Sequence, residues 1–155
     1  MDSKTHISIT NRKAFHDYEL VEEHEAGIEL FGWEVKSIRQ GSCQLKWAHI
    51  LVRSGEIKIV GMHVSPYKFS PEGGDVGVKR ERKLLLRKNT ILRLEQKTHE
   101  AGMTLIPARV YLKWNLIKVS VALAKGKKQY DKRETIKKRD LERGALKELH
   151  RTINR

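Results

Sequence analysis

The alternating apolar pattern of residues 104–123 most constrains how this chain can fold. Residues 104–112 alternate as one strand, and the return strand alternates at Ile117, Val119, Val121 and Leu123. The segment between them, Lys113–Leu116, is short enough for a tight turn. Two such strands form an antiparallel hairpin with one face on a core. Because Pro107 has no N–H group to donate, we expect a sheet edge or a bulge there.

A second hairpin is predicted at Arg53-Ser-Gly-Glu56, between strands over residues 44–53 and 57–64. The first of these strands would place one set of side chains on a common face: Leu45, Trp47, His49 and Leu51. Residues 28–38 also read as a strand, bent at Gly32, and the acidic run at residues 22–25 as a turn or a single helical turn. A helix is predicted from a cap at Asn89 or Thr90 to Gly102, after a long loop over residues 65–82.

These elements predict a mainly β fold, a small antiparallel barrel of about six strands with helices outside it. The OB-type barrel is the best-known barrel of this kind that binds nucleic acid. We predict three regions: a flexible N-terminus at residues 1–10, an OB-like barrel at 11–124 and a basic tail at 125–155.

Charge points to a polyanionic partner. The chain carries a formal net charge of +13, and residues 125–155 contribute 12 Lys or Arg against 5 Asp or Glu. A narrow apolar line permits an amphipathic tail helix, at Leu141, Ala145, Leu149 and Ile153. Since that line buries little, we expect the tail to be disordered alone and to fold when bound. Acids dominate residues 14–35 and bases residues 79–93, which predicts opposed acidic and basic sides on the barrel.

Several other classes of protein are disfavoured. No apolar run approaches the ~18 residues of a membrane span, and the N-terminus has no signal core, so we expect a cytoplasmic protein without a membrane partner. Cys43 stands alone, and no metal or cofactor motif occurs, so neither metal nor cofactor is expected. His16 and His63 leave a metal-free ribonuclease open, although such a pair arises easily by chance.

Two further features allow more than one interpretation. Residues 82–88 are either a buried strand flanked by solvated charges or a strand whose charges contact phosphates. Most aromatic residues, Trp47 and Trp114 among them, more often serve core or hairpin packing than base stacking. Tyr130 lies among charges, so a base or a partner's pocket is its expected destination.

Five blocks then carry a family resemblance, in order along the chain: residues 11–14 (NRKA), 25–27 (EAG), 32–37 (GWEVKS), 82–86 (RKLLL) and 123–133 (LAKGKKQYDKR). Together they resemble small protein B, the bacterial SsrA-binding protein family. The resemblance implies an OB-like barrel that is not an enzyme. It also implies binding to the tRNA-like domain of transfer-messenger RNA (tmRNA), with entry into stalled ribosomes.

The resemblance also implies RNA contacts at the matching positions, which are Asn11, Glu25, Arg82, Lys83, Leu85 and Lys118. Beyond these, we expect RNA contacts from nearby bases, Arg12, Lys13, Lys125, Lys127 and Lys128. The family's tail motif supplies a second set of site residues. The tail would occupy the vacant decoding region and mRNA path of the small ribosomal subunit through Tyr130, Asp131, Lys132, Arg133, Lys137, Lys138 and Arg139. The elongation factor that delivers aminoacyl-tRNA would be an indirect partner, and the free protein a monomer.

The chain departs from the family pattern at two places. Residues 44–49, Gln-Leu-Lys-Trp-Ala-His, replace the usual Asn-Leu-x-Asp-Ser-Tyr. The sequence of the loop over residues 70–79 does not follow the family pattern either. We therefore carry over no RNA contact from either stretch. A general OB-type RNA-binding or ribosome-assembly protein stays open as a second interpretation.

Overall fold

The computed structural model describes residues 7–69, 77–100, 102–127 and 129–153, with the backbone alone at 129–131. The elements in chain order are β1 (Ser8–Thr10), α1 (Arg12–Asp17), β2 (Tyr18–Ile28), α2 (Gly32–Arg39), β3 (Cys43–Gln44), β4 (His49–Arg53), β5 (Glu56–Val60), β6 (His63–Val64), β7 (Arg82–Leu85), α3 (Lys88–Thr98), β8 (Met103–Lys113), β9 (Leu116–Gly126) and α4 (Gln129–Ile153).

Six strands close into an antiparallel ring. Their order is β8-β4-β5-β7-β2-β9, and pairing of β9 with β8 completes the circle. The 11-residue strand β8 has two neighbours on its other edge, β4 at Leu105 and β1 from Arg109 to Tyr111. The predicted small OB-like antiparallel barrel with flanking helices is therefore confirmed.

Both predicted hairpins are present, and their turns have the geometry that short hairpins need. Ser54 and Gly55 have φ values of 52° and 77°, and Trp114 and Asn115 have 53° and 63°. Positive φ at both central residues is the type I′ turn, whose twist matches that of the strands. The predicted irregularity at Pro107 is also confirmed, because the β8–β9 register shifts between Pro107 and Arg109.

The barrel interior is filled mainly by aliphatic side chains. The predicted alternating residues of β9 are all buried there. Helix α2 adds Ile38 to this core, and α3 adds Ile91 and Leu94. A second, smaller cluster consists largely of alanines, Ala14, Ala108, Ala122 and Ala124, with Ile106. These small side chains let α1 lie close to β8 and β9.

Two predicted elements near the N-terminal end of the barrel are wrong. Residues 28–38 are not a strand, since β2 ends at Ile28 and α2 begins at Gly32. Glu34, Ser37 and Ile38 form the buried face of α2, and two polar residues there hid the helical period. The acidic run at 22–25 is not a turn but the middle of β2, where bases on neighbouring elements pair with its carboxylates.

The strand predicted over residues 44–53 is interrupted. A turn separates β3 from β4, so Ile50 is buried and Leu51 is exposed, the opposite of the predicted face. The return strand also breaks, at Gly61, whose φ is 78°. A Cβ atom there would lie 2.7 Å from the carbonyl oxygen of Trp47, so only glycine fits. The predicted helix exists as α3, but Arg87 is its N-cap and it ends at Thr98.

The predicted boundaries shift at both ends. Residues 8–10 form β1, so that part of the N-terminus is not loose, and residues 1–6 lie outside the described chain. Strand β9 continues to Gly126, two residues past the predicted end of the barrel. The tail differs from the disordered segment expected for the free protein, because residues 129–153 form the single helix α4. Its predicted apolar line is present, but Leu141, Leu149 and Ile153 remain exposed.

Candidate nucleic-acid interface

A cleft of about 930 Å³ brings together three of the predicted RNA contacts. Glu25, Lys83 and Leu85 line it, with Arg87 and Lys88 from the start of α3. They meet because β2 pairs with β7 at Gly27 and Leu85. Leu85 is 50% exposed, because side chains alternate along a strand and the preceding Leu84 is buried. The cleft therefore offers an apolar contact, one carboxylate and several cations within one surface.

The Glu25 carboxylate is held in place by neighbouring donors. The Tyr111 hydroxyl donates to Oε2 at 2.5 Å, and Lys113 Nζ lies 3.2 Å from Oε1. Hydrogen bonds from Tyr111 and then Lys113 lower the pKa of Glu25, and the charge of Lys118 lowers it further. Burial, followed by the hydrogen bond to Glu25, raises the pKa of Tyr111 to about 12. Glu25 is therefore an ionised acceptor at neutral pH.

Lys118 belongs to the same surface. It lies opposite Gly27 of β2 and Tyr111 of β8 in the sheet, beside the Glu25 cluster. A fixed carboxylate surrounded by lysines can accept hydrogen bonds from base amino groups or ribose hydroxyls while the lysines meet phosphates. The sequence pattern does not identify the residues that hold Glu25, because it assigns Lys113 to the turn, whereas β8 extends to Lys113 and places it on the same face as Tyr111.

Both sequence interpretations of Arg82 are wrong, because its side chain is fully buried. Its guanidinium donates to a Glu34 carboxylate oxygen and to the carbonyl of Met62 at 2.7 Å and of Val78 at 3.0 Å. Glu34 is likewise buried and also pairs with Arg80. Arg82 therefore cannot contact a phosphate in this structure; it secures β7, which presents Lys83 and Leu85. No sequence signal pointed to Glu34, since the pair is 48 residues apart.

Asn11 is also buried, and its side chain is used inside the protein. Its Nδ2 donates to the carbonyl of Pro107 at 2.9 Å, and its Oδ1 accepts from the Ala14 N–H at 3.2 Å. It thus caps α1, which carries the exposed Arg12 and the half-buried Lys13. A direct RNA contact by Asn11 stays a prediction, and the structure gives this residue a positioning role.

A polar seam joins α4 to α1. Lys127 Nζ donates to the carbonyl of Phe15 at 3.1 Å and to Thr135 Oγ1 at 2.9 Å. Lys132 Nζ lies 3.6 Å from Asp17 Oδ1. The hydrogen bond with His16 lowers the pKa of Asp17, and Lys132 contributes a smaller lowering. Lys127 and Lys132 therefore help to fix the start of α4 against the body.

The other predicted tail residues are more exposed. Lys125, Arg133, Lys137 and Lys138 are exposed, and Arg139 is partly so. Lys128 and the side chains of Tyr130 and Asp131 lie outside the described residues. The structure thus places Lys125 at the end of β9, and Arg133, Lys137, Lys138 and Arg139 on the continuous helix α4.

The predicted separation of acidic and basic sides is wrong. Glu22 pairs with Arg93 and, at 2.8 Å, with Lys97, both on α3. Glu23 lies 3.8 Å from Arg109. Acids and bases that are distant in sequence therefore alternate across one surface.

The described part of the chain contains no group of three or more His, Cys, Asp or Glu that could hold a metal ion. None of its helices is both long and apolar enough to cross a membrane. The two histidines of the ribonuclease alternative lie on different elements. His16, on α1, is hydrogen-bonded to Asp17 at 2.8 Å, and His63, on β6, lies opposite Gln44 of β3.

Comparisons with known proteins identify the family of this chain. A family profile described as "SmpB protein" matches residues 8–151. An SsrA-binding protein from Sulfurihydrogenibium sp. is 48% identical over 88% of this chain and 90% of its own length. One from Carboxydothermus hydrogenoformans is 48% identical over 92% of this chain and 95% of its own.

A solved structure reported under "tmRNA-SmpB: a journey to the center of the bacterial ribosome" contains a similar fold. The match has a TM-score of 0.67 and 36% identity and covers 84% of this chain and 94% of that one. The family profile and the relatives both span most of the sequence, including the barrel and the tail. The chain therefore belongs to the SmpB family.

Proposed function

We propose that this protein is an RNA-binding factor of trans-translation that binds the tRNA-like domain of tmRNA and delivers it to stalled ribosomes. The SsrA-binding relatives and the SmpB structure with tmRNA support this function. The protein is a binding factor rather than an enzyme and acts in the cytoplasm, where stalled ribosomes occur. The elongation factor that delivers aminoacyl-tRNA meets it indirectly, and it is monomeric when free.

The observation that carries this proposal is the cleft formed by Glu25, Lys83 and Leu85, with Lys118 beside it. Because the barrel holds these side chains in place before binding, little conformational freedom is lost when RNA arrives. A rigid platform of this kind suits a folded RNA recognised by shape and by its backbone.

The tail has a separate role in this proposal. It enters the vacant decoding region and mRNA path of the small subunit, where Tyr130, Asp131, Lys132 and Arg133 substitute for codon–anticodon pairing. Lys137, Lys138 and Arg139 meet ribosomal RNA further along. The exposed bases of α4 support this role, since they remain available to a polyanion.

The two roles are separable by truncation. A chain ending at residue 129 keeps the barrel and loses α4, so it should bind a transcript of the tRNA-like domain with nearly full affinity. It should fail to support tagging of stalled peptides in a reconstituted translation system. In the full chain, Glu25→Ala and Lys118→Ala should instead weaken binding to the tRNA-like transcript. Normal tagging by the truncated chain would contradict the role of the tail.

RNA recovered with the protein from cells distinguishes the proposal from a general RNA-binding role. One dominant structured RNA is expected, and a broad population would favour the general role. Affinity should also fall steeply with salt, with a log–log slope of roughly −0.7 to −0.9 per neutralised phosphate. An affinity independent of salt would contradict a phosphate-contacting interface.

A further inference from the structure

The turn between β3 and β4 displays Trp47 on a rigid support. Leu45 and Ala48 are buried on either side of it, and the Ala48 N–H donates to the carbonyl of Leu45 at 2.9 Å. The Trp47 carbonyl is packed against Gly61, where no larger residue fits. Trp47 itself is 68% exposed. Its backbone is therefore fixed while its indole ring faces solvent.

Two lysines accompany the exposed ring. Lys13 Nζ, from α1, lies 3.5 Å from the ring centroid, and Lys46 Nζ lies 5.3 Å from it. The sequence predicts that this tryptophan packs in the core or against a hairpin. That prediction is wrong, because the ring is exposed. An aromatic face bordered by cations is the arrangement that binds unpaired nucleotides, through stacking of the base and attraction of its phosphates.

The ring forms one side of a cleft of about 440 Å³, a size typical of ligand sites. Other lining residues include Asn11, Tyr18 and His49, which offer polar and aromatic groups. Asp17 also lines the cleft, but His16 and Lys132 contact its carboxylate. The cleft is thus predominantly cationic around a single large aromatic face.

We propose that Trp47, with Lys13 and Lys46, binds one unpaired nucleotide of the RNA that the barrel carries. The base stacks on the indole ring, and Lys13 moves from the ring to an adjoining phosphate. This inference rests on the proposed function for the presence of the RNA. It adds an RNA contact from residues 44–49, a stretch that contributes none of the contacts implied by the family resemblance.

The site lies away from the Glu25 cleft along the barrel. Thr104, at the start of β8, lines the Trp47 cleft, whereas Lys113, at the end of β8, contacts Glu25. Nine residues of strand at about 3.3 Å each place them up to roughly 30 Å apart along β8. Such a distance allows one folded RNA to span both sites, which would fix its orientation on the barrel.

The test uses the full-length protein and a transcript of the tRNA-like domain of tmRNA. Trp47→Ala should weaken binding by about 5- to 150-fold, the range for losing one stacked base. Trp47→Phe keeps an aromatic face and should weaken it much less. Thermal unfolding of both variants should match the wild type because the ring is exposed, which separates lost binding from lost folding.

Fluorescence gives an independent readout. RNA should quench the tryptophan emission of the wild type, and Trp47→Phe should remove most of that quench. The matched control is Trp114→Phe, since Trp114 is also exposed but lies on the β8–β9 turn; it should keep the quench. Lys46→Ala should reduce the salt slope by about 0.7 to 0.9 if one phosphate contact is lost.

Two results would overturn the proposal. One is that Trp47→Ala binds the RNA with wild-type affinity and that Trp47→Phe shows the same fluorescence quench as the wild type. The other is a Trp47 quench that appears only when ribosomes are added, because the base would then belong to the ribosome. Failure of the proposed function looks different: the wild type itself would bind the tRNA-like transcript no better than an unrelated hairpin RNA.

Discussion

The barrel and α4 hold their charged groups in different ways. On the barrel, carboxylates such as Glu22, Glu25 and Glu34 fix the bases around them through pairs between distant elements. On α4, Arg133, Lys137 and Lys138 are exposed to solvent. Ion pairs keep the barrel's charged side chains in fixed positions. Solvent-exposed bases can bind phosphates without first breaking an ion pair, which lowers the free-energy cost of binding. The difference shows how one small chain can present both a preformed platform and a cationic arm.

The two regions also differ in what stabilises them. Each barrel strand depends on partners far away in sequence, as Ile50 and Leu105 illustrate. Helix α4 depends mainly on local hydrogen bonds and on helix-favouring Lys, Arg, Glu and Leu residues, with its seam to α1 at one end. Changes in the barrel should therefore be felt globally, and changes in α4 locally.

The largest effect is expected from Glu34→Ala, which leaves the buried Arg82 without its carboxylate. An unpaired buried charge costs about 3–5 kcal/mol, so urea denaturation should show a large loss in the free energy of unfolding. Replacing both residues, as in Glu34→Leu with Arg82→Met, should cost less. Lys138→Ala on α4 is the control and should change little. A Glu34→Ala loss below 1 kcal/mol would mean that the ion pair does not hold β7.

Asn11→Ala should have an intermediate effect. It removes the cap of α1 and a hydrogen bond to the buried Pro107 carbonyl, a change of about 0.5–2 kcal/mol. Asn11→Ser keeps a capping oxygen and places no charge at this buried position, so it should cost less than alanine in thermal denaturation. Equal RNA affinity for wild type and both variants would assign Asn11 a purely structural role.

Gly144→Ala should change α4 and leave the barrel alone. A Cβ at position 144 meets nothing within 4 Å, and alanine favours a helix interior by about 0.8–1 kcal/mol over glycine. Circular dichroism should show greater helicity, while the barrel's unfolding temperature stays the same. A shift of the barrel transition would show that α4 is more tightly coupled to it than the α1 seam suggests.

The smallest effect on stability is expected from Tyr111→Phe, whose main readout is a pKa. Without the phenol, the pKa of Glu25 should rise toward its ordinary value, which a carboxyl NMR titration would detect. Because the folded-state pKa of Glu25 is lowered, its contribution to stability is present above the unfolded pKa and is lost as pH falls through the folded one. The two proteins should thus differ at pH 7 and converge in acid. An unchanged Glu25 titration would assign its pKa shift to the lysines alone.

The sequence predicted local features far better than long-range pairs. Turn chemistry and period-2 alternation located both hairpins, and the five family blocks contain Glu25, Lys83 and Leu85 of the cleft but not Arg87 or Lys88. The pairing of Glu34 with Arg82 has no local signal, so the sequence pattern predicts a strand where α2 lies and a surface base at Arg82. The acids of β2 resembled a turn for the same reason, because Lys97 and Lys113, which pair with them, lie far along the chain.

The single cysteine has a practical consequence. Cys43 is buried on β3, and burial raises its pKa to about 12. An exposed thiol has a pKa near 8.5, so at neutral pH it has on the order of a thousandfold more of the reactive thiolate. A cysteine placed on α4, as in Gly144→Cys, would therefore accept a dye selectively while Cys43 stays in place. Energy transfer from that dye to one on the RNA could then follow the tail as it enters the ribosome.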